Sequence, residues 1–273
     1  MIIKGENISM KKYNIAFLGC GAMGTEVIDY VVNNLDLKFN IILLMDNNLD
    51  NAEKLLTQYN ISPVITDDIN TLLSLNNIDL IIETASVQAV NQYAKEIVRK
   101  ADVVFASVGA MSDQDFYNNL LDNASKYDNN IIIPAGAIGG LDAIDAVKDF
   151  ITSIEIITTK SPGSLSGAEG FLDYENCKFI SPEVIFTGTA ANAIKLFPKN
   201  LNVAVTLSLF GLGPYKTNVT VIVDPDVKMN CHKINLKGKF GEMTFDFKLE
   251  KSIKNPKTSA LAGLSIIKIL KDY

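Results

Sequence analysis

The chain runs to 273 residues, 48% of them hydrophobic and 21% charged, with a formal net charge of −6 at pH 7. That composition excludes disordered, collagen-like and disulfide-stapled chains, and the length suits one large domain or two modest ones. The acidic balance argues against a nucleic-acid partner, and because Arg99 is the only arginine, a bound anion must be held by Lys, backbone N–H groups or a helix end.

The first dozen residues interrupt their apolar run with Glu6 and Asn7, unlike a signal peptide, and no stretch of about 18 apolar residues follows, so no membrane contact is expected. Cys20, Cys177 and Cys231 lie too far apart for a zinc site or a disulfide framework, which points to a reducing cytoplasm and no metal. From Tyr13, short β-branched runs alternate with stretches of helical periodicity. Strands are expected at 14–18, 41–45, 62–65, 79–82, 103–106 and 130–133, and helices at 22–35, 49–59, 69–75, 87–100 and 113–127, with Asp68, Ser86 and Ser112 as capping types. Apolar strands between helices mean a parallel sheet covered on both faces, so residues 1–137 read as an α/β unit, a doubly wound Rossmann sheet.

Where the first strand meets the first helix stands Gly19-Cys20-Gly21-Ala22-Met23-Gly24. In a dinucleotide site the first glycine allows the tight turn, the second lets the pyrophosphate approach backbone, and the third lets helix and strand pack closely. Asp46, 22 residues beyond Gly24, ends the second strand where a carboxylate can accept hydrogen bonds from ribose hydroxyls. It repels a 2′-phosphate, which favours NAD, while Asn47 and Asn48 leave NADP acceptance open. Ligands bind beyond the carboxyl ends of such strands, so Thr84 and Ala85 at one exit and Ser107, Val108 and Gly109 at another are further candidate cofactor contacts.

After residue 137 the texture changes. A helix is expected at 141–150, then β-rich runs at 153–159, 218–223, 232–237 and 242–248, with a small-residue helical stretch at 190–209 interrupted by Pro198. Residues 138–254 therefore read as a second, α+β domain on a mostly antiparallel sheet, which would carry substrate and a dimer surface. Residues 162–170, rich in Gly and Ser, read equally as a mobile lid or a plain surface connection. Asn255 and Pro256 look like the cap and first-turn proline of a terminal helix at 257–271, which could pack back on the first domain. His232, the only histidine, stands at a strand start; it is a structural residue or the general base of a hydride transfer. Cys231 would face the opposite side of that strand, against a metal pair, and no G-x-S-x-G supports a hydrolase.

Four segments, Ile133-Pro134-Ala135-Gly136-Ala137-Ile138-Gly139-Gly140-Leu141-Asp142, Phe197-Pro198-Lys199-Asn200-Leu201-Asn202-Val203-Ala204, Asp224-Pro225 leading to Asn230-Cys231-His232, and Asn255-Pro256-Lys257-Thr258-Ser259, together resemble the NAD(P)-dependent L-aspartate dehydrogenases. The resemblance implies oxidation of L-aspartate to iminosuccinate, which hydrolyses to oxaloacetate and ammonia or feeds quinolinate synthesis and hence NAD biosynthesis. It gives His232 the place of the catalytic histidine, and Asn202 and Ala137 places among the cofactor contacts. The family usually shows an arginine where this chain has Thr158-Thr159-Lys160, so a point charge replaces a bidentate clamp. Charge logic names Lys160, Lys199, Asn200 and Lys257, with backbone donors at the helix start after Asn255, for the substrate carboxylates. Two rival readings use the same residues: an imine reductase or other small amino-acid dehydrogenase, and a non-catalytic NAD-binding protein.

Overall fold

The computed structural model describes residues 12–252 and 258–273. Its first sheet has six parallel strands in the order β3-β2-β1-β4-β5-β6, built from β1 (Tyr13–Leu18), β2 (Phe39–Met45), β3 (Val64–Thr66), β4 (Leu80–Glu83), β5 (Asp102–Phe105) and β6 (Ile131–Ile132). Side chains alternate across a strand, and here both alternants are apolar. Ala16, Leu18, Leu43, Ile81, Val103 and Phe105 enter one buried cluster, while Ile15, Phe17, Leu44, Leu80, Ile82 and Val104 enter another. The connecting helices are α1 (Ala22–Asn34), α2 (Leu49–Tyr59), α3 (Ile69–Ser74), α4 (Val87–Ile97) and α5 (Gln114–Lys126).

Two of the expected caps form: Asp68 and Ser86 each accept a first-turn N–H, as Asn48 does at α2, where no cap was expected. Ser112 does not cap α5. It closes a 3-10 turn, Val108–Ser112, and Asp113 accepts the N–H groups of Asp115 and Phe116 instead, because its carboxylate lies one residue nearer the helix. The helix expected to reach residue 100 stops at Ile97.

The second sheet has the order β11-β10-β7-β9-β8, from β7 (Ile151–Lys160), β8 (Glu183–Thr189), β9 (Thr217–Val223), β10 (Asn230–Gly238) and β11 (Gly241–Leu249). Its pairings are antiparallel except β7 with β9. β8 has no counterpart among the sequence expectations, because it is an edge strand whose side chains are half-buried or exposed and leave no alternating apolar pattern. One face of the sheet is covered by α6 (Leu141–Ala146), α8 (Ala190–Leu196) and α9 (Asn202–Phe210), whose apolar residues share a single core with it. The helix expected at 141–150 ends at Ala146 and continues as a 3-10 turn. Residues 162–170 are pinned: α7 (Pro162–Leu165) buries Ser164 and Leu165, and Asn200 donates to the Ser164 carbonyl at 2.8 Å.

α10 (Ala260–Asp272) returns to the first sheet, where Ile266 and Leu270 join Val27, Ile28 and Val31 of α1. Its last carbonyls, Leu270 and Lys271, accept from Lys38 Nζ at 3.0 and 2.8 Å. Tyr273 donates to the Asp79 carbonyl and to Asp102, and meets Tyr13 edge to face at 5.0 Å. Asn255, Pro256 and Lys257, named above for the helix start and for substrate, lie outside the described residues.

Candidate active site

The glycine turn at the end of β1 is shaped by contacts that no side chain would fit. Gly19 has φ +102°, and a Cβ there would come within 2.5 Å of the Ala85 backbone nitrogen. Gly24 is pressed on the Gly19 carbonyl, so α1 packs directly on the turn. Gly21 differs, since a Cβ there would meet nothing within 4 Å, and it borders the open groove. Gly21 is also the N-cap of α1, a 13-residue helix that no side chain caps. An uncapped helix end beside open space is a fitting seat for a pyrophosphate. Ala22 and Met23 line the groove beside it, whereas Cys20 is buried beneath, its thiol pushed up to about 12 by burial and by Asp46.

The groove continues without a break in both directions. Toward β2 it is bordered by Asp46, Asn47 and Asn51, and Asp46 accepts from Cys20 N–H at 2.7 Å, Asn48 N–H at 2.9 Å and Asn51 Nδ2 at 3.2 Å. Toward the second sheet it passes Thr84, Ala85, Ala106 and Ser107. Thr84 Oγ1 donates to the Gly19 carbonyl at 2.7 Å, tying the β4 exit to the glycine turn. Glu83, fully buried, accepts from Ala85 N–H at 2.8 Å and Ser107 N–H at 2.9 Å, so one carboxylate joins the β4 and β5 exits. Burial, opposed by those bonds, holds its carboxyl up at about 7. Gly109 is buried against Val87, Ile194 and Asn202. Its N–H donates to Asn202 Oδ1 at 2.9 Å, which leaves the Asn202 amide NH₂ as the group offered to a ligand in the groove.

Met23, Ala106, Lys199 and Asn202 are shared between this groove and a second cavity that lies between the sheets. Val108, Ala137, Lys160, Asn200, Thr206, His232 and Ser259 also line that cavity. On the inward face of β7 and β10 the residues two apart run Ile154, Ile156, Thr158, Lys160 and Asn230, His232, Ile234, Leu236, all buried. The register sets His232 against Thr158, and their side chains meet, Nδ1 to Oγ1, at 3.1 Å. Lys160 Nζ donates to Asn230 Oδ1 at 3.2 Å. The apolar face thus ends in four polar side chains, of which Lys160 and His232 line the cavity. Burial first, and then the Lys160 charge, bring the His232 imidazole down to about 3. Burial and the neighbouring Lys251 bring Lys160 down to about 8.

Comparison with known proteins bears on this arrangement directly. A family model described as "Aspartate dehydrogenase, C-terminal" matches residues 142–273, and one described as "Homoserine dehydrogenase, NAD binding domain" matches residues 19–134. The L-aspartate dehydrogenase of Nitrosopumilus maritimus is 40% identical over 95% of this chain and 96% of its own. That of Methanocaldococcus jannaschii is 34% identical over 94% and 96%. The chain belongs to the L-aspartate dehydrogenase family. Among solved structures, the aspartate dehydrogenase of Thermotoga maritima superposes with a TM-score of 0.73 at 25% identity, covering 96% of both chains. A scyllo-inositol dehydrogenase from Lactobacillus casei shares the fold at 9% identity, TM-score 0.62, over 97% of this chain and 88% of that one.

For a member of the L-aspartate dehydrogenase family, the arrangement brings the groove beside the glycine turn and a lysine-bearing cavity to one point, at Met23, Lys199 and Asn202. The sequence assigned no role to Thr158, Asn230, Glu83 or Ser259, although Thr158, Asn230 and Ser259 stand in the segments quoted for the resemblance. For the first two a signal existed, since a strand residue two away from His232 or Lys160 shares its face. For Glu83 no local pattern predicts the two backbone bonds that it accepts, and for Ser259 none predicts its place in the cavity wall. Among the described residues no cluster of three or more His, Cys, Asp or Glu could hold a metal, and no helix is long and apolar enough to cross a membrane.

Proposed function

We propose that the chain oxidises L-aspartate at its amino-bearing carbon with NAD as cofactor, NADP being accepted less well, and yields iminosuccinate, which hydrolyses to oxaloacetate and ammonia. The observation that carries this reading is the His232–Lys160 end of the second sheet facing the cavity that opens into the groove. The nicotinamide dinucleotide, when bound, supplies the hydride acceptor. Gly19, Gly21, Ala22, Met23 and Gly24 would receive its pyrophosphate half, Asp46 its ribose, and Thr84, Ala85, Ser107, Val108, Ala137 and Asn202 its nicotinamide half.

His232 is the proposed base. A base at Nε2 needs the ring proton on Nδ1, and Thr158 Oγ1 is placed to accept it. The substrate ammonium must lose a proton before its carbon gives up hydride, and Nε2 takes it. The bare site disfavours the resulting imidazolium, chiefly through burial and then through Lys160. A dicarboxylate seated beside Lys160 offsets that positive charge, so substrate itself raises the basicity of the ring. Lys199 and Asn200, on the cavity wall, complete the proposed substrate contacts. After oxidation the ring gives that proton up to solvent, and the same imidazole, neutral again, activates the water that attacks the imine.

The test is absorbance at 340 nm with NAD or NADP and L-aspartate, D-aspartate, L-glutamate or L-alanine. Reduction confined to L-aspartate, and lowered ~100-fold in kcat by His232→Asn, is the expected result. Dinucleotide binding with no turnover on any of the four would move the weight to another substrate or to a non-catalytic role. The proposal extends to a division of labour between residues 1–137 and 138–254, with the terminal helix returning to the first. It extends also to a cytoplasmic homodimer, supported by the free cysteines and by exposed Leu172, Ile180 and Val184 around β8. Sedimentation at twice the chain mass checks the dimer. Supply of iminosuccinate to quinolinate synthesis is the proposed role, checked by quinolinate formation in a coupled assay.

A further inference from the structure

Two buried side-chain atoms have no hydrogen-bond partner among the described residues, Asn230 Nδ2 and Ser259 Oγ. Ser259, 3% exposed, lines the cavity just described, and Asn230, fully buried, lies behind that lining and spends its Oδ1 on Lys160, which does line it. A buried polar atom without a partner is costly, and native structures seldom keep one without a use. Ser259 is unusual in a second way. It is the N-cap of α10, where a serine hydroxyl ordinarily accepts a first-turn N–H, yet it makes no capping bond. Asn48, Asp68, Ser86, Asp113 and Thr189 all make one at their own helices. The end of this 13-residue helix is therefore left uncapped by any side chain, and its cap residue, a lining residue of the cavity, keeps an unpartnered hydroxyl.

We propose that these atoms are the two seats of a dicarboxylate clamp. One substrate carboxylate is held by Ser259 Oγ at the positive end of α10, and the other by Asn230 Nδ2 beside Lys160 Nζ. The inference rests on the aspartate reading and deepens it by naming what distinguishes a dicarboxylic amino acid from a monocarboxylic one. Hydroxyl and amide N–H groups donate to carboxylate oxygen, and a helix start adds favourable potential. The seats come from separate parts of the fold, the second sheet and the helix that packs on the first, so a ligand charged at both ends is what engages both.

Ser259→Ala and Ser259→Thr separate this role from a structural one. In Ser259→Ala the KM for L-aspartate should rise roughly tenfold or more, with kcat and the affinity for NADH little changed. Its Tm should equal or exceed that of the parent, because an unpartnered buried hydroxyl has been removed. Ser259→Thr should restore most of the affinity. Succinate binding to the NADH-loaded protein, followed by calorimetry, should weaken in parallel in Ser259→Ala. An unchanged KM and unchanged succinate affinity in that variant would overturn the clamp while leaving the aspartate reading intact. A parent silent with L-aspartate but binding succinate through Ser259 would keep the clamp and overturn the reaction. A parent that binds no dicarboxylate would overturn both.

Discussion

Asp46 takes three hydrogen bonds from its own neighbours, two of them from backbone, and these hold its carboxylate at the groove wall in one orientation. A rigidly held anion accepts ribose hydroxyls well and meets a 2′-phosphate badly. Asp46→Ala should therefore weaken NAD more than NADP, by about 1–3 kcal/mol against a smaller change, as titration with each reduced dinucleotide will show. Equal losses would mean that the carboxylate only braces the turn. The acidic residue at the strand end was legible in the sequence, because strand position and spacing alone place it. Its support by Cys20 N–H and Asn51 was not, because the bond to Cys20 joins two strands and no local pattern reports it.

At the scale of the element, α1 depends on Gly24. A methyl there would overlap the Gly19 carbonyl and crowd Thr84 Oγ1, the hydroxyl that anchors the β4 exit. Gly24→Ala should push α1 off the sheet, lowering stability by ~1–3 kcal/mol and weakening NADH binding, both readable in one thermal-shift series with and without NADH. Stability lost without any change in NADH affinity would show that the turn adjusts. Helices and buried strands were legible through their period and their caps, whereas the β8 edge and the ends of α4 and α6 were not. Edges and ends carry the weakest patterns, because half-exposed residues are free to be polar. Gly140 makes the same point from the other side. It has φ +73° and lies against the Phe245 ring, a constraint set by a strand a hundred residues away and invisible in its own segment.

Over the whole molecule two buried groups give stability opposite slopes with pH. His232 titrates near 6.5 when unfolded and near 3 when folded, so as pH falls through that window the unfolded chain gains a proton that the folded chain refuses, and stability is lost. Glu83 is held at about 7 against an ordinary 4.5, so the folded state keeps a proton there that the unfolded state has released, and its contribution fades as pH rises from 4.5 to 7. Urea titrations from pH 7 to pH 4 should show a shallower acid loss in His232→Gln and a steeper one in Glu83→Gln. Parallel curves for parent and variants would mean that neither group is as buried in solution as its packing indicates.

Local periodicity and spacing encode a parallel sheet with covered faces, a glycine turn at its first exit, an acidic residue at its second, and a lone histidine in a β-rich second half. The tertiary structure decided which distant residues share a cavity. Lys160 reaches Asn230, seventy positions away, only through the β7–β10 register, and Ser259 lines the same cavity only because α10 packs back on α1. Those contacts follow from burying apolar faces against one another, a requirement of the whole chain that no segment carries alone.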